Sequence, residues 1–216
     1  MPPADIERAS SICLSPPPGK MAGIFGDGAC GLALRTLARP LLRGETVVAV
    51  DGGNRFDPYE IGNAARALGG DGKDALSRIR VSRAFTCHQM EALLVRKLPS
   101  ALARYDAGLA LILGLPDTFT DADVPYAEAC RLFRSCLSSL RRIASKGARV
   151  VLVGRAEPPR GSRHSSPAPA AENRAGFFRH LVRTADPVLL LNPEENGRSW
   201  ELRRGNASPA RLPGGR

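Results

Sequence analysis

Three short apolar runs restrict what this chain can fold into more than anything else in it: Val47–Asp51, Leu109–Leu113 and residues 149–153. Each is about five residues long, rich in Val, Ile and Leu, and closed by Gly or Asp, as strands buried on both faces are. Helical periodicity fills the spaces between them. Leu132, Phe133, Cys136, Leu137, Leu140 and Ile143 recur at three- and four-residue intervals until Gly147 stops the pattern. Strands alternating with helices predict an α/β fold, a mostly parallel central sheet with helices on both faces. The 216 residues suit one such domain with a full core.

Residues 1–17 read as a polar, proline-rich lead-in, and residues 18–204 as the single domain. The helix after Phe56-Asp57-Pro58 carries Ile61, Ala64, Ala65 and Leu68 and is broken at Gly69-Gly70. Residues 79–85 alternate like a strand, and residues 86–98 read as a helix stopped by Pro99. Residues 155–173 dissolve into Pro, Ser, Gly and Arg and predict a long flexible loop. A short helix follows at 177–182. Asn196-Gly197 between two apolar runs, the second around the lone Trp200, signals a C-terminal β-hairpin. Residues 205–216 read as a frayed tail.

One glycine-rich stretch invites a functional reading. Gly26-Asp27-Gly28-Ala29-Cys30-Gly31-Leu32-Ala33 places Gly26 and Gly31 in register with both glycines of the phosphate loop G-x-x-x-x-G-K-[ST]. An apolar run precedes it, and helical spacing (Leu34, Leu37, Ala38, Leu41) follows it. Strand, glycine loop and helix together aim backbone N–H groups at a phosphate. The residues that do the chemistry are missing, however. Leu32 stands where a lysine should reach the phosphates, and Ala33 where a hydroxyl should hold Mg²⁺. An ordinary tight turn fits the same glycines.

Charge points toward a polyanion. The formal net charge is +10, and only Lys20, Lys73, Lys97 and Lys146 among the 31 basic residues are lysine. Arginine beside abundant Ala, Gly and Pro is also what a biased genome writes without selection for binding. Cys13, Cys30, Cys87, Cys130 and Cys136 form no C-x-x-C pair, so reduced thiols in a cytoplasmic protein are expected, with no disulfide frame or metal site. No apolar run reaches membrane length, and Met1-Pro2-Pro3-Ala4-Asp5 lacks the regions of a signal peptide. Cys87 and His88 at a helix start read as buried structural residues, and Trp200 as core.

Three segments carry a resemblance to a known family. Residues 18–26 look like the lead into a phosphate loop. Residues 47–58 are similar to a core strand followed by "DTEGTFRP", with Asp51, Phe56 and Pro58 matching. Residues 81–89, with Arg83-Ala84-Phe85 and then His88-Gln89, resemble "ARAFNTDHQ" with one residue fewer. In order and spacing they resemble the RecA/RadA recombinase core, including its KaiC-like relatives, and the resemblance spans residues 17–210. It implies a RecA-like P-loop ATPase fold. It also implies that the catalytic glutamate falls on Gly53 and the Walker B acid on Gly114. With Leu32 and Ala33, every residue the family uses for phosphoryl transfer is replaced.

The expectation is therefore a catalytically degenerate RecA-like accessory protein of DNA recombination or repair. It would bind DNA, or a recombinase or repair-polymerase partner, without turning over nucleotide or holding a resident cofactor; any ATP–Mg²⁺ binding would be weak. The competing class is an ATP-binding KaiC-like regulator or atypical ATPase, with Asp51 and Asp117 as surrogate acids. The resemblance implies two DNA-facing loops. The first, residues 116–123, carries acids and no base. The second, residues 155–173, holds Arg155, Arg160, Arg163 and His164, which are the DNA-binding candidates.

Overall fold

A computed structural model describes residues 4–156, 169–194 and 197–204. Among them seven strands form one sheet: β1 (Met21–Gly26), β2 (Val47–Asp51), β3 (Ile79–Arg83), β4 (Leu109–Leu113), β5 (Arg149–Gly154), β6 (Val188–Glu194) and β7 (Gly197–Arg203). The order is β3-β2-β4-β5-β1-β6-β7. The first six strands run parallel, and β7 closes the edge as an antiparallel partner of β6. The fold is α/β with a C-terminal hairpin, as the apolar runs predict; the hairpin's turn, residues 195–196, lies outside the described residues. Every residue of β2 and β4 is buried, because helices cover both faces of the sheet.

One face carries α1 (Ala4–Cys13), α2 (Ala29–Leu42), α3 (Pro58–Ala67) and α4 (Gly72–Ser77), packed on Val47, Ala49, Leu111 and Val153. The other carries α5 (Cys87–Ala92), α6 (Leu98–Arg104), α7 (Tyr126–Ser145) and α8 (Pro169–Thr184), packed on Val48, Val50, Ile112 and Leu152. Alternate residues of each strand thus feed opposite cores. Phe119, Phe133 and Phe177 pin α7, α8 and the turn after β4 together, with ring centroids 4.8–5.7 Å apart. Such ring pairs add about 0.5–1.5 kcal/mol each beyond their burial.

Several local expectations are corrected. The lead-in is not merely polar: Ile6, Ala9, Cys13 and Leu14 of α1 and its end are buried against α2 and β6. Pro99 does not stop a helix. A π-helical turn at Leu93–Lys97 follows α5, and Pro99 then sits in the first turn of α6, where its missing N–H is not needed. The segment 169–173, expected as loop, is the start of α8, which runs well ahead of the predicted 177–182. Residues 157–168 and 205–216 lie outside the described residues. His88 is not buried. Its ring nitrogen Nε2 lies 3.0 Å from Glu128 Oε1 on the surface, while Cys87 is buried as expected.

Candidate functional site

The sheet has two places where neighbouring strands send their crossovers to opposite faces: β2 with β4, and β1 with β5. From β1 the chain crosses through α2 toward β2, whereas from β5 it crosses through α8 past β1 to β6. The neighbours β1 and β5 therefore diverge at their carboxyl ends, and in open parallel sheets that divergence opens a ligand crevice. Gly26 and Gly154 end these two strands, with Gly114 and Asp51 ending or following β4 and β2.

The glycine stretch is not a full phosphate loop. Helix α2 begins at Ala29, so only Gly26, Asp27 and Gly28 form the connection. Gly28, at φ 82°, makes the left-handed entry to the helix, and no side chain caps it. Gly31 is already helical and faces α3. A Cβ there would lie 3.1 Å from Glu60 Oε1 and 3.2 Å from an Arg35 guanidinium nitrogen, the two groups that form an ion pair at 2.8 Å. Gly31 thus gives room to a helix–helix contact, and the nearby Glu60 carboxylate disfavours a phosphate. Leu32 and Ala33 are 2% and 0% exposed, turned into the core with Leu34 and Leu37. The helical period explains the correction: the apolar stripe already starts at Ala29.

The expected catalytic positions do come together. A Cβ on Gly114 would lie 2.7 Å from the Gly53 amide nitrogen and 2.9 Å from Asp117 Oδ2; Gly114 itself is left-handed at φ 61°. A Cβ on Gly53 would lie 2.7 Å from Arg55 Nε and 2.8 Å from Asp117 Oδ2. At Gly114 the clash is with backbone, so no side chain fits there; at Gly53 a side chain would have to push Arg55 and Asp117 aside. An ion pair occupies the space instead: Arg55 Nε donates to Asp117 Oδ2 at 3.2 Å, both groups largely shielded from solvent.

Asp51 is the anchor of this corner. Its carboxylate is fully buried and accepts from the backbone N–H groups of Gly53 (3.2 Å), Arg55 (3.0 Å) and Phe56 (3.0 Å), with Arg83 Nε at 3.8 Å. Three amide donors and a guanidinium offset the cost of burying the charge. Both surrogate acids are thus engaged by the chain's own donors. A metal ion would have to displace those donors. Among the described residues, no cluster of three His, Cys, Asp or Glu could hold one. Cys30 faces the same corner. Burial pushes its thiol up to about 11; Arg55 opposes that shift and Asp51 and Asp117 add to it.

Of the DNA-binding candidates, Arg155 follows β5 and is half-buried; Arg160, Arg163 and His164 lie outside the described residues. The acidic first loop, at 116–123, overlaps the 3₁₀ turn Leu115–Phe119, and Arg174 of α8 locks it by donating to the carbonyls of Phe119 (2.7 Å) and Val124 (2.5 Å). Arg174 was not legible in sequence, since nothing local marks a buried arginine. All five cysteines are free, and no described helix is long and apolar enough to cross a membrane. No family model matches the chain, and no curated protein matches it either.

Proposed function

We propose that this protein is a catalytically degenerate RecA-like accessory factor of DNA recombination or repair, which binds DNA and a recombinase or repair polymerase without hydrolysing nucleotide. The observation that carries the reading is the closed corner at Gly53 and Gly114. Phosphoryl transfer needs carboxylates that place water and Mg²⁺. At the positions where the resemblance expects them, the chain has glycines: a Cβ on Gly114 would clash with the Gly53 backbone, and one on Gly53 would displace the Arg55–Asp117 pair. The neighbouring acids are spent on Arg55 and on backbone amides. A parallel sheet with a switch point beside a glycine turn supports the scaffold part of the reading, and the net charge of +10 supports the polyanion part. The free thiols support a cytoplasmic setting for this reading.

The test combines ATP turnover with DNA binding. The purified protein is expected to hydrolyse no ATP above background with or without DNA, and to bind DNA at low salt. Turnover abolished by Asp51→Asn or Asp117→Asn would overturn the first half, and no retention of DNA at low salt the second.

A further inference from the structure

Helix α7 divides its two faces sharply. Ala129, Leu132, Cys136, Leu140 and Ile143 are buried. On the opposite side Arg134, Ser138, Arg141, Arg142 and Ser145 are all exposed. At 1.5 Å per residue, the stretch from Arg134 to Ser145 is about 16 Å long. Arg179 and Arg183 on α8 are exposed as well, and the helices pack side by side, with the Phe133 and His180 rings 6.1 Å apart. Where the helices approach β1, an open cleft of about 560 Å³ is lined by Lys20, Ser138, Arg141, Arg142, Ser145 and Thr184.

Nine arginines among the described residues hold a carboxylate within 4 Å. Arg35, Arg55, Arg78 and Arg203 each hold a carboxylate within 3.2 Å. Among the described residues, Arg134, Arg141, Arg142, Arg179 and Arg183 are in no ion pair. The acids bordering the face are engaged. Glu128 meets His88 and Arg131, Asp186 lies 3.8 Å from Lys20, and Glu91 accepts from Ser135. The face therefore carries uncompensated positive charge along a line, with hydroxyls between the cations.

We propose that this α7–α8 face, with Lys20 at its end, holds the phosphate backbone of a nucleic acid. The proposal rests on the reading of the protein as DNA-binding and gives that binding a place. Phosphates are contacted by Arg and Lys with Ser and Thr beside them, and a cation row this long matches a linear polyanion better than one phosphate group. No exposed aromatic lies along the row: Tyr59 and Phe85 are on other elements, and Tyr126 opens α7 against Phe177. Binding is therefore to backbone and independent of sequence. An anionic membrane fits less well, because the apolar side of α7 is already buried in the core and leaves nothing to insert. The cleft lies by the amino-terminal end of β1, whereas Arg155 follows the carboxyl end of β5, so the face lies away from Arg155.

The experiment measures binding of the full chain to a fluorescent oligonucleotide of mixed sequence, single-stranded and duplex, across a salt series. The variant Arg134→Gln/Arg141→Gln/Arg142→Gln should keep its circular dichroism spectrum and melting temperature, lose at least tenfold in affinity, and lower the salt slope by roughly 2–3. The corresponding triple Lys variant should bind nearly as the unmodified protein does, because phosphate accepts a point charge. If the triple Gln variant binds unchanged while Arg155→Ala/Arg160→Ala/Arg163→Ala loses binding, this surface is wrong and the DNA reading stands. If the unmodified protein ignores DNA at low salt, both fall. Tighter retention on phosphatidylserine vesicles than on DNA, lost in the triple Gln variant, would reassign the face to a membrane and overturn the proposal.

Discussion

The amide nitrogen of Gly53 lies where a Cβ on Gly114 would approach to 2.7 Å, so Gly53, 61 positions away, leaves Gly114 no room for a side chain. The acid that the resemblance places at Gly114 would therefore have no room here, and the one at Gly53 would have to displace the Arg55–Asp117 pair. The loops after β2 and β4 have closed over the space, and the Arg55–Asp117 pair seals it.

Gly53→Glu and Gly114→Asp should accordingly destabilise the protein and not restore turnover. Gly114 adds a left-handed φ of 61° to the steric conflict. Each change should cost roughly 2–4 kcal/mol in urea unfolding. A variant that keeps its stability and gains ATP hydrolysis would show that the corner opens.

Rebuilding the phosphate-loop signature should also fail. In a true cradle, Leu32→Lys with Ala33→Thr would raise nucleotide–Mg²⁺ affinity. Here both side chains point into the core, so the pair should lose more than about 3 kcal/mol of stability and gain no affinity by calorimetry.

Removing Arg174 should detach α8 from the turn after β4. Arg174 is 6% exposed, and its guanidinium donates to the carbonyls of Phe119 and Val124. Arg174→Ala should cost about 2–4 kcal/mol, and Arg174→Lys should rescue it only in part, because one ammonium cannot span both acceptors as the planar fork does. Equal stability of Lys and Arg variants would refute the bidentate role.

Alkaline pH should weaken the fold through its thiols. Burial pushes Cys13 and Cys136 up to about 12 and Cys30 to about 11, against 9.0 when exposed. A raised thiol pKa means that the unfolded chain releases protons first, so the stability these groups provide is whole below pH 9 and declines from there toward 12. Cys13→Ala/Cys136→Ala should flatten that decline in denaturation curves taken across the range. An unchanged slope would show that other groups control it.

The fold class was legible because a strand buried on both faces needs a continuous apolar run, and β2, β4 and β5 have one. The same is true of the hairpin, whose turn residues are adjacent in the chain. The glycines at 53 and 114, where the resemblance places acids, could also be read directly, as could the apolar stripe of α7. What sequence alone left open depends on contacts between distant segments. Local spacing could not show that α2 starts at Ala29, because glycines and alanines suit a loop and a helix alike until α3 packs against Gly31. It could not show that α1 belongs to the core, or that Asp117 finds Arg55 across 62 residues. Nor could it separate the paired arginines from the unpaired ones on α7 and α8. Charge composition counts cations, but only the tertiary structure decides which of them meet a carboxylate and which are left facing water.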